Sequence, residues 1–139
     1  MNNVMRKVAL LFLILTGSLL VACSGSGQPQ IALETAALDL GDVVNGEVVT
    51  REVTVQNTGN KDLVIEAVST SCGCTQATLE PTAISPGENG TLRIVFDSGA
   101  HGEELTGALM RQVFIASNDP EQPEAILEFT ANILPPDAP

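Results

Sequence analysis

The sequence predicts an all-β fold, an antiparallel β-sandwich of about seven strands. Three observations carry that expectation. Apolar residues recur with period two in runs rich in Val, Ile, Leu and Phe. Clusters of Gly, Asn and Pro separate those runs, at "VNG", "NTGN", "SPGENG", "SGAHG" and "NDPEQP". Beyond the first two dozen residues, no stretch long enough for a helix carries a helical apolar stripe.

The first segment, residues 1–22, reads as an export leader rather than as part of a fold. Arg6 and Lys7 form a short basic region, and Val8 to Ala22 is apolar without a charge. The run is shorter than the roughly 20 apolar residues that a membrane span needs. It ends "LVAC", which resembles the lipobox of bacterial lipoproteins. That resemblance implies cleavage before Cys23 and a lipid on its thiol, so that the membrane contact runs through the N-terminal lipid. Residues 23–30 then form the lipidated cysteine and a Gly/Ser-rich tether, "SGSGQPQ", spanning on the order of 15 Å as a flexible coil.

Residues 31–134 are the sandwich domain. "VTREVTVQN" places Val49, Val53 and Val55 on one face, with Arg51 an ill-fitting member of it. "LVIEAVS" and "RQVFIAS" are further strands with less definite phase. "LRIVFD" alternates Leu92, Ile94 and Phe96 against Arg93, Val95 and Asp97. "ILEFTANI" alternates Leu127, Phe129, Ala131 and Ile133 against Ile126, Glu128, Thr130 and Asn132. Phe96, Phe114 and Phe129 all fall in these strands and are expected in the core. In "NTGNKDL", Asn57 and Gly59 are expected to take a positive φ in the turn. Residues 135–139 are a Pro-rich tail whose prolines cannot donate to a ladder.

Charge narrows the partners. The whole chain holds 6 basic and 17 acidic residues, a formal charge of −11. Loss of the leader removes Arg6 and Lys7 and makes the balance more negative. Arg51, Lys61, Arg93 and Arg111 remain, scattered singly. Nothing here would neutralise phosphates, so nucleic acid is excluded as a partner. Electrostatic adhesion to anionic lipid is excluded on the same ground.

The stretches 38–75, 84–98 and 115–133, with "SCGCT" at their centre, resemble the bacterial family called domain of unknown function 1573. Its members look like immunoglobulin-like domains of the ASH type, named for abnormal-spindle and hydin proteins. The resemblance implies an immunoglobulin-like sandwich, export, frequent lipid anchoring and a paired-cysteine position at Cys72 and Cys74. It brings no activity with it.

With Cys23 assigned to lipid, Cys72 and Cys74 are the remaining cysteines. Three uses fit "STSCGCTQ". A disulfide could lock a turn. In an ideal strand the two Cα atoms would stand near 7 Å apart, at the limit for bridging, so the chain must bend there and Gly73 is expected to supply the bend. Closing so small a loop stabilises by only about 1.5 kcal/mol. The pair could instead exchange disulfides with exported thiols. Glu66 and Glu80 are the nearest charges along the chain, and no Lys, Arg or His within several residues would activate a thiolate. Finally, two thiolates suit Cu(I), which accepts two soft ligands. His101, the single histidine, lies in the loop "SGAHGEE" and reads as solvated. No metal or other cofactor is required, copper being the alternative, and the three uses stay open, with the bond favoured. The expectation is an exported, lipid-anchored, non-enzymatic interaction or structural module of the cell envelope with a protein partner. The alternative is a thiol-redox or Cu(I)-handling protein acting through Cys72 and Cys74.

Overall fold

A computed structural model describes residues 27–136. The leader, Cys23 and residues 137–139 lie outside them. The described chain forms nine strands: β1 (Ile31–Leu33), β2 (Ala37–Val44), β3 (Val48–Asn57), β4 (Leu63–Thr70), β5 (Thr75–Glu80), β6 (Ala83–Ile84), β7 (Asn89–Asp97), β8 (Gly107–Ser117) and β9 (Glu124–Leu134). They build two sheets, ordered β1-β3-β7-β5 and β2-β9-β8-β4-β6. The count exceeds the sequence expectation partly because β1 and β6 are only 3 and 2 residues long, too short to show a period.

Alternation is the physical cause of the sandwich. Along β7, Gly90, Leu92, Ile94 and Phe96 are buried while their neighbours face outward. Along β9, Ala125, Leu127, Phe129, Ala131 and Ile133 are buried in the same way. The two inner faces meet at Phe96 and Phe129, whose rings pack edge to face with centroids 5.4 Å apart.

Several local expectations need correction. Phe114 is not a core residue. Val113 and Ile115 take the inward positions of β8, so Phe114 faces outward, half-buried, beside Ile126 of β9. Arg51 shares a face with Val53 and Val55 but is exposed, and its guanidinium donates to the Thr50 carbonyl at 2.9 Å. One pair departs from the antiparallel pattern: β2 runs parallel to β9. Its register shifts between Asp39 and Asp42. There Gly41 takes φ +70 and donates its N–H to the Asp39 carboxylate at 2.9 Å.

The entry of the chain is also ordered further back than the tether reading implied. The carbonyls of Gln28 and Gln30 accept from Asn60 N–H and Thr58 N–H at 3.0 and 2.9 Å. Gly59 is needed for this close approach and not for its φ, since a Cβ there would lie 2.8 Å from the Pro29 carbonyl carbon. Asn57 likewise keeps a negative φ. Its fully buried amide serves as a hub, donating to the carbonyls of Lys61 and Ile84 at 2.7 and 2.8 Å. Its carbonyl oxygen accepts from Gly59 and Gln30 at 3.0 and 3.3 Å. Buried Asp119 closes the same end, accepting from the N–H groups of Ile31, Glu121 and Gln122 at 2.9, 2.8 and 3.1 Å.

Candidate functional site

The opposite end of the sandwich carries the cysteines. From Asn89, beside the Asn57 hub, β7 runs to Asp97, beside Cys74, a distance of about 25 Å for an extended strand. β4 belongs to one sheet and β5 to the other, so the segment Ser71 to Cys74 hands the chain across the sandwich. Hydrogen bonds hold both sides of this crossing. Ser71 N–H donates to the Gln112 carbonyl and Gln112 N–H to the Ser71 hydroxyl, both at 2.9 Å. Asp97 N–H donates to the Cys74 carbonyl at 2.8 Å.

Within the crossing the Cα atoms of Cys72 and Cys74 stand 5.3 Å apart and their sulfurs lie at disulfide-bonding distance. The bend arises from a turn closed by Thr75 N–H on the Cys72 carbonyl at 3.3 Å. Gly73 does not take a positive φ, and a Cβ on it would meet nothing within 4 Å. The bend therefore does not depend on glycine, contrary to the sequence expectation. Cys74 is buried and Cys72 is half-buried, so the two sulfurs differ in access.

Polar groups converge on the pair. The Thr75 hydroxyl is 3.6 Å from each sulfur. The Thr70 hydroxyl lies 2.9 Å from the Cys72 carbonyl and 3.0 Å from that of Thr75, and shares its proton between them. His101 reaches the same place. One imidazole nitrogen and the two sulfurs lie within 4.8 Å of one another. His101 is exposed, as a solvated loop histidine would be, but the fold brings it near the pair, which its distance from the cysteines along the chain did not suggest.

Residues that drew no attention in the sequence fix this geometry. Asn45, buried in the β2–β3 turn, donates to the carbonyls of Gly102 and Leu105, both at 2.9 Å, and so pins the loop that carries His101. The buried Ser98 hydroxyl accepts from Gly46 N–H at 3.0 Å and lies 2.8 Å from the Glu47 carbonyl. Their signal in the sequence was only turn composition, "VNG" and "SGAHG", which says where a chain turns and not what it turns towards. On the neighbouring strand, Arg111 shares the inward face of β8 with Val113, and its Nε is buried without a hydrogen-bond partner.

The two packed sheets define an immunoglobulin-like β-sandwich domain. The chain belongs to the family described as "Protein of unknown function (DUF1573)", whose model matches residues 31–133. No curated protein matches the sequence significantly. Among solved structures it is similar to a protein of unknown function from Porphyromonas gingivalis, with 23% identity and a TM-score of 0.67. That match covers 81% of this chain and 50% of the other, so the chain spans half of that protein's length. It is also similar to the ASH / PapD-like domain of human CEP192, at 9% identity and TM-score 0.59, covering 78% of this chain and 87% of that one. The YadV chaperone matches at 14% identity and TM-score 0.53, covering 78% of this chain and 52% of that one. At these identities the likeness shows the fold.

Proposed function

We propose that this chain is an exported, lipid-anchored, non-enzymatic interaction module of the bacterial cell envelope, held to the membrane through Cys23 and binding a protein partner through its five-stranded sheet. The observation that carries the reading is the outward face of that sheet. Phe114 and Ile126 sit opposite each other on β8 and β9, with Met110 further along β8. Met110 is 51% and Ile126 42% exposed. Phe114 and Ile126 make an apolar pair on the solvent face, separated from Met110 by Gln112 and Glu128, and apolar surface edged by polar groups in this way suits a partner. The sandwich fold supports the same reading, since it is shared with the YadV chaperone.

The leader pattern and the cysteine at its end support the anchor. Since the chain enters the domain beside Asn57 and Asp119, a lipid at Cys23 would leave the cysteine-bearing end pointing away from the bilayer.

Affinity purification from intact envelopes with a photo-cross-linker at Met110 tests the partner. A discrete cross-linked species that disappears in Phe114→Glu/Ile126→Glu, with the thermal transition kept, is expected. Recovery of no partner together with turnover on thiol substrates would defeat the interaction reading. Mass spectrometry of the mature N-terminus tests the anchor: Cys23 carrying diacylglycerol is expected, and an unmodified Cys23 or a cut elsewhere refutes it.

A further inference from the structure

We infer that Cys72, Cys74 and His101 form a redox-gated site for Cu(I), closed when the two sulfurs are bonded to each other and open when they are reduced. This goes beyond the interaction reading and does not depend on the lipid or on a protein partner.

The donor set argues for the ion. Two thiolates and one imidazole are soft and borderline ligands, the combination that favours Cu(I) over hard cations. Metal–ligand bonds of about 2.0–2.3 Å, the lengths typical of zinc sites, put three trigonal donors roughly 3.7–4 Å apart. All three donor atoms here already lie within 4.8 Å of one another. Breaking the sulfur–sulfur bond lets the two sulfurs separate towards that spacing without a large backbone motion. Among the described residues, the grouping of His, Cys, Asp and Glu side chains at this point stops at these three. Three donors complete a trigonal Cu(I) centre but leave a structural zinc site one protein ligand short.

The surroundings argue for a built site. Thr75 holds its hydroxyl 3.6 Å from both sulfurs, where it can donate to a metal-bound thiolate on either. Asn45 fixes the carbonyls on the C-terminal side of His101 and so presets the third ligand. Cys72 is half-buried, which gives a reductant and the ion a way in, while Cys74 is buried, which shields the bound state.

The gate balances as follows. A dithiol reductant supplies two electrons and two protons. The Cys72–Cys74 bond breaks to give two thiols, and the reductant becomes a disulfide. Cu(I) then displaces both thiol protons to solvent and takes the neutral imidazole of His101 as third ligand. To close the site, a disulfide oxidant takes two electrons from the two thiolates and two protons from solvent and leaves as a dithiol, the Cys72–Cys74 bond re-forms, and the ion, still Cu(I), is released with two of its three ligands gone.

The test uses the full chain with Cys23→Ser in every arm, so that the pair alone supplies thiols. After reduction by a phosphine under anaerobic conditions, Cu(I) is titrated against a chromophoric Cu(I) chelator, and the bound metal is read by X-ray absorption. One Cu(I) per reduced chain with two sulfurs and one nitrogen is expected, and at least 100-fold weaker binding by the oxidised chain. His101→Ala, in an exposed loop and therefore expected to fold, should weaken binding about tenfold and remove the nitrogen signal. The proposal is overturned if the reduced chain holds Cu(I) no better than the oxidised one. It is equally overturned if His101→Ala changes neither affinity nor spectrum, or if Zn²⁺ displaces Cu(I) at equal concentration. The oxidised chain serves as the folded control should Cys72→Ser/Cys74→Ser not fold.

Discussion

The two ends of the sandwich are built from the same kinds of parts and put them to different use. At the end where the chain enters, Asn57 and Asp119 are buried and saturated with hydrogen bonds. They tie β1, the β3–β4 turn and the β8–β9 loop into one block. At the far end, Asn45 and Ser98 are buried in the same way. What they hold, however, is a loop whose exposed His101 stands against a half-buried sulfur. The comparison teaches that burial of polar groups here has two purposes. One end closes the core, and the other holds an exposed loop histidine close to a cysteine pair whose Cys74 is itself a core residue.

The largest effect should come from breaking the entry end. Asn57→Ala removes the partner of the buried Ile84 carbonyl and of three part-buried groups, the Lys61 carbonyl and the N–H groups of Gly59 and Gln30, and should cost about 2–3 kcal/mol in denaturant unfolding. A loss below about 1 kcal/mol, against that expectation, would remove the distinction between the ends.

Asp119 sharpens the same point through pH. Burial raises its carboxyl, but the N–H groups of Ile31, Glu121 and Gln122 outweigh burial and hold it below the ordinary 3.8. A depressed folded value means that its contribution is fully present above 3.8 and is lost as the pH falls through the lower folded value. Asp119→Asn should therefore unfold more easily than the parent at neutral pH, by about 1–3 kcal/mol, with the gap narrowing in acid. A gap that widens in acid would contradict the assignment.

At the cysteine end the effects should be smaller. Reduction of the pair, or Cys72→Ser/Cys74→Ser, should cost no more than about 1.5 kcal/mol, because so short a loop constrains the unfolded chain little. A loss above about 3 kcal/mol would exceed what this loop can supply and make the bond a main support of the fold. The smallest effect is expected of Gly73→Ala. Its Cβ has open space and its φ is not left-handed, so stability should change by less than about 0.5 kcal/mol. A large loss there would restore glycine as the cause of the bend.

Much of the fold was legible because strand alternation is a local signal. β3, β7 and β9 announce their inner faces residue by residue, and the family pattern around "SCGCT" accounts for nearly the whole domain. Where the period falters, so did the expectation. β8 has apolar residues on both faces, and nothing local says that Val113 and not Phe114 turns inward. β1 and β6 are too short to have a period at all. For turns, composition marked the places but misjudged the reason: Gly59 is required by the backbone of Pro29 packed against it, a neighbour distant in the chain.

By itself, the sequence determined the all-β class, the leader pattern and the closeness of Cys72 to Cys74, because each is written in residues close together along the chain; that the two sulfurs lie at bonding distance came from the structure. Only the tertiary structure decided what surrounds that pair. His101 comes from the β7–β8 loop, Asn45 from the β2–β3 turn and Thr75 from the first position of β5. They meet because two sheets packed face to face bring the loops at one end together, and no spacing along a single chain records which loops those will be.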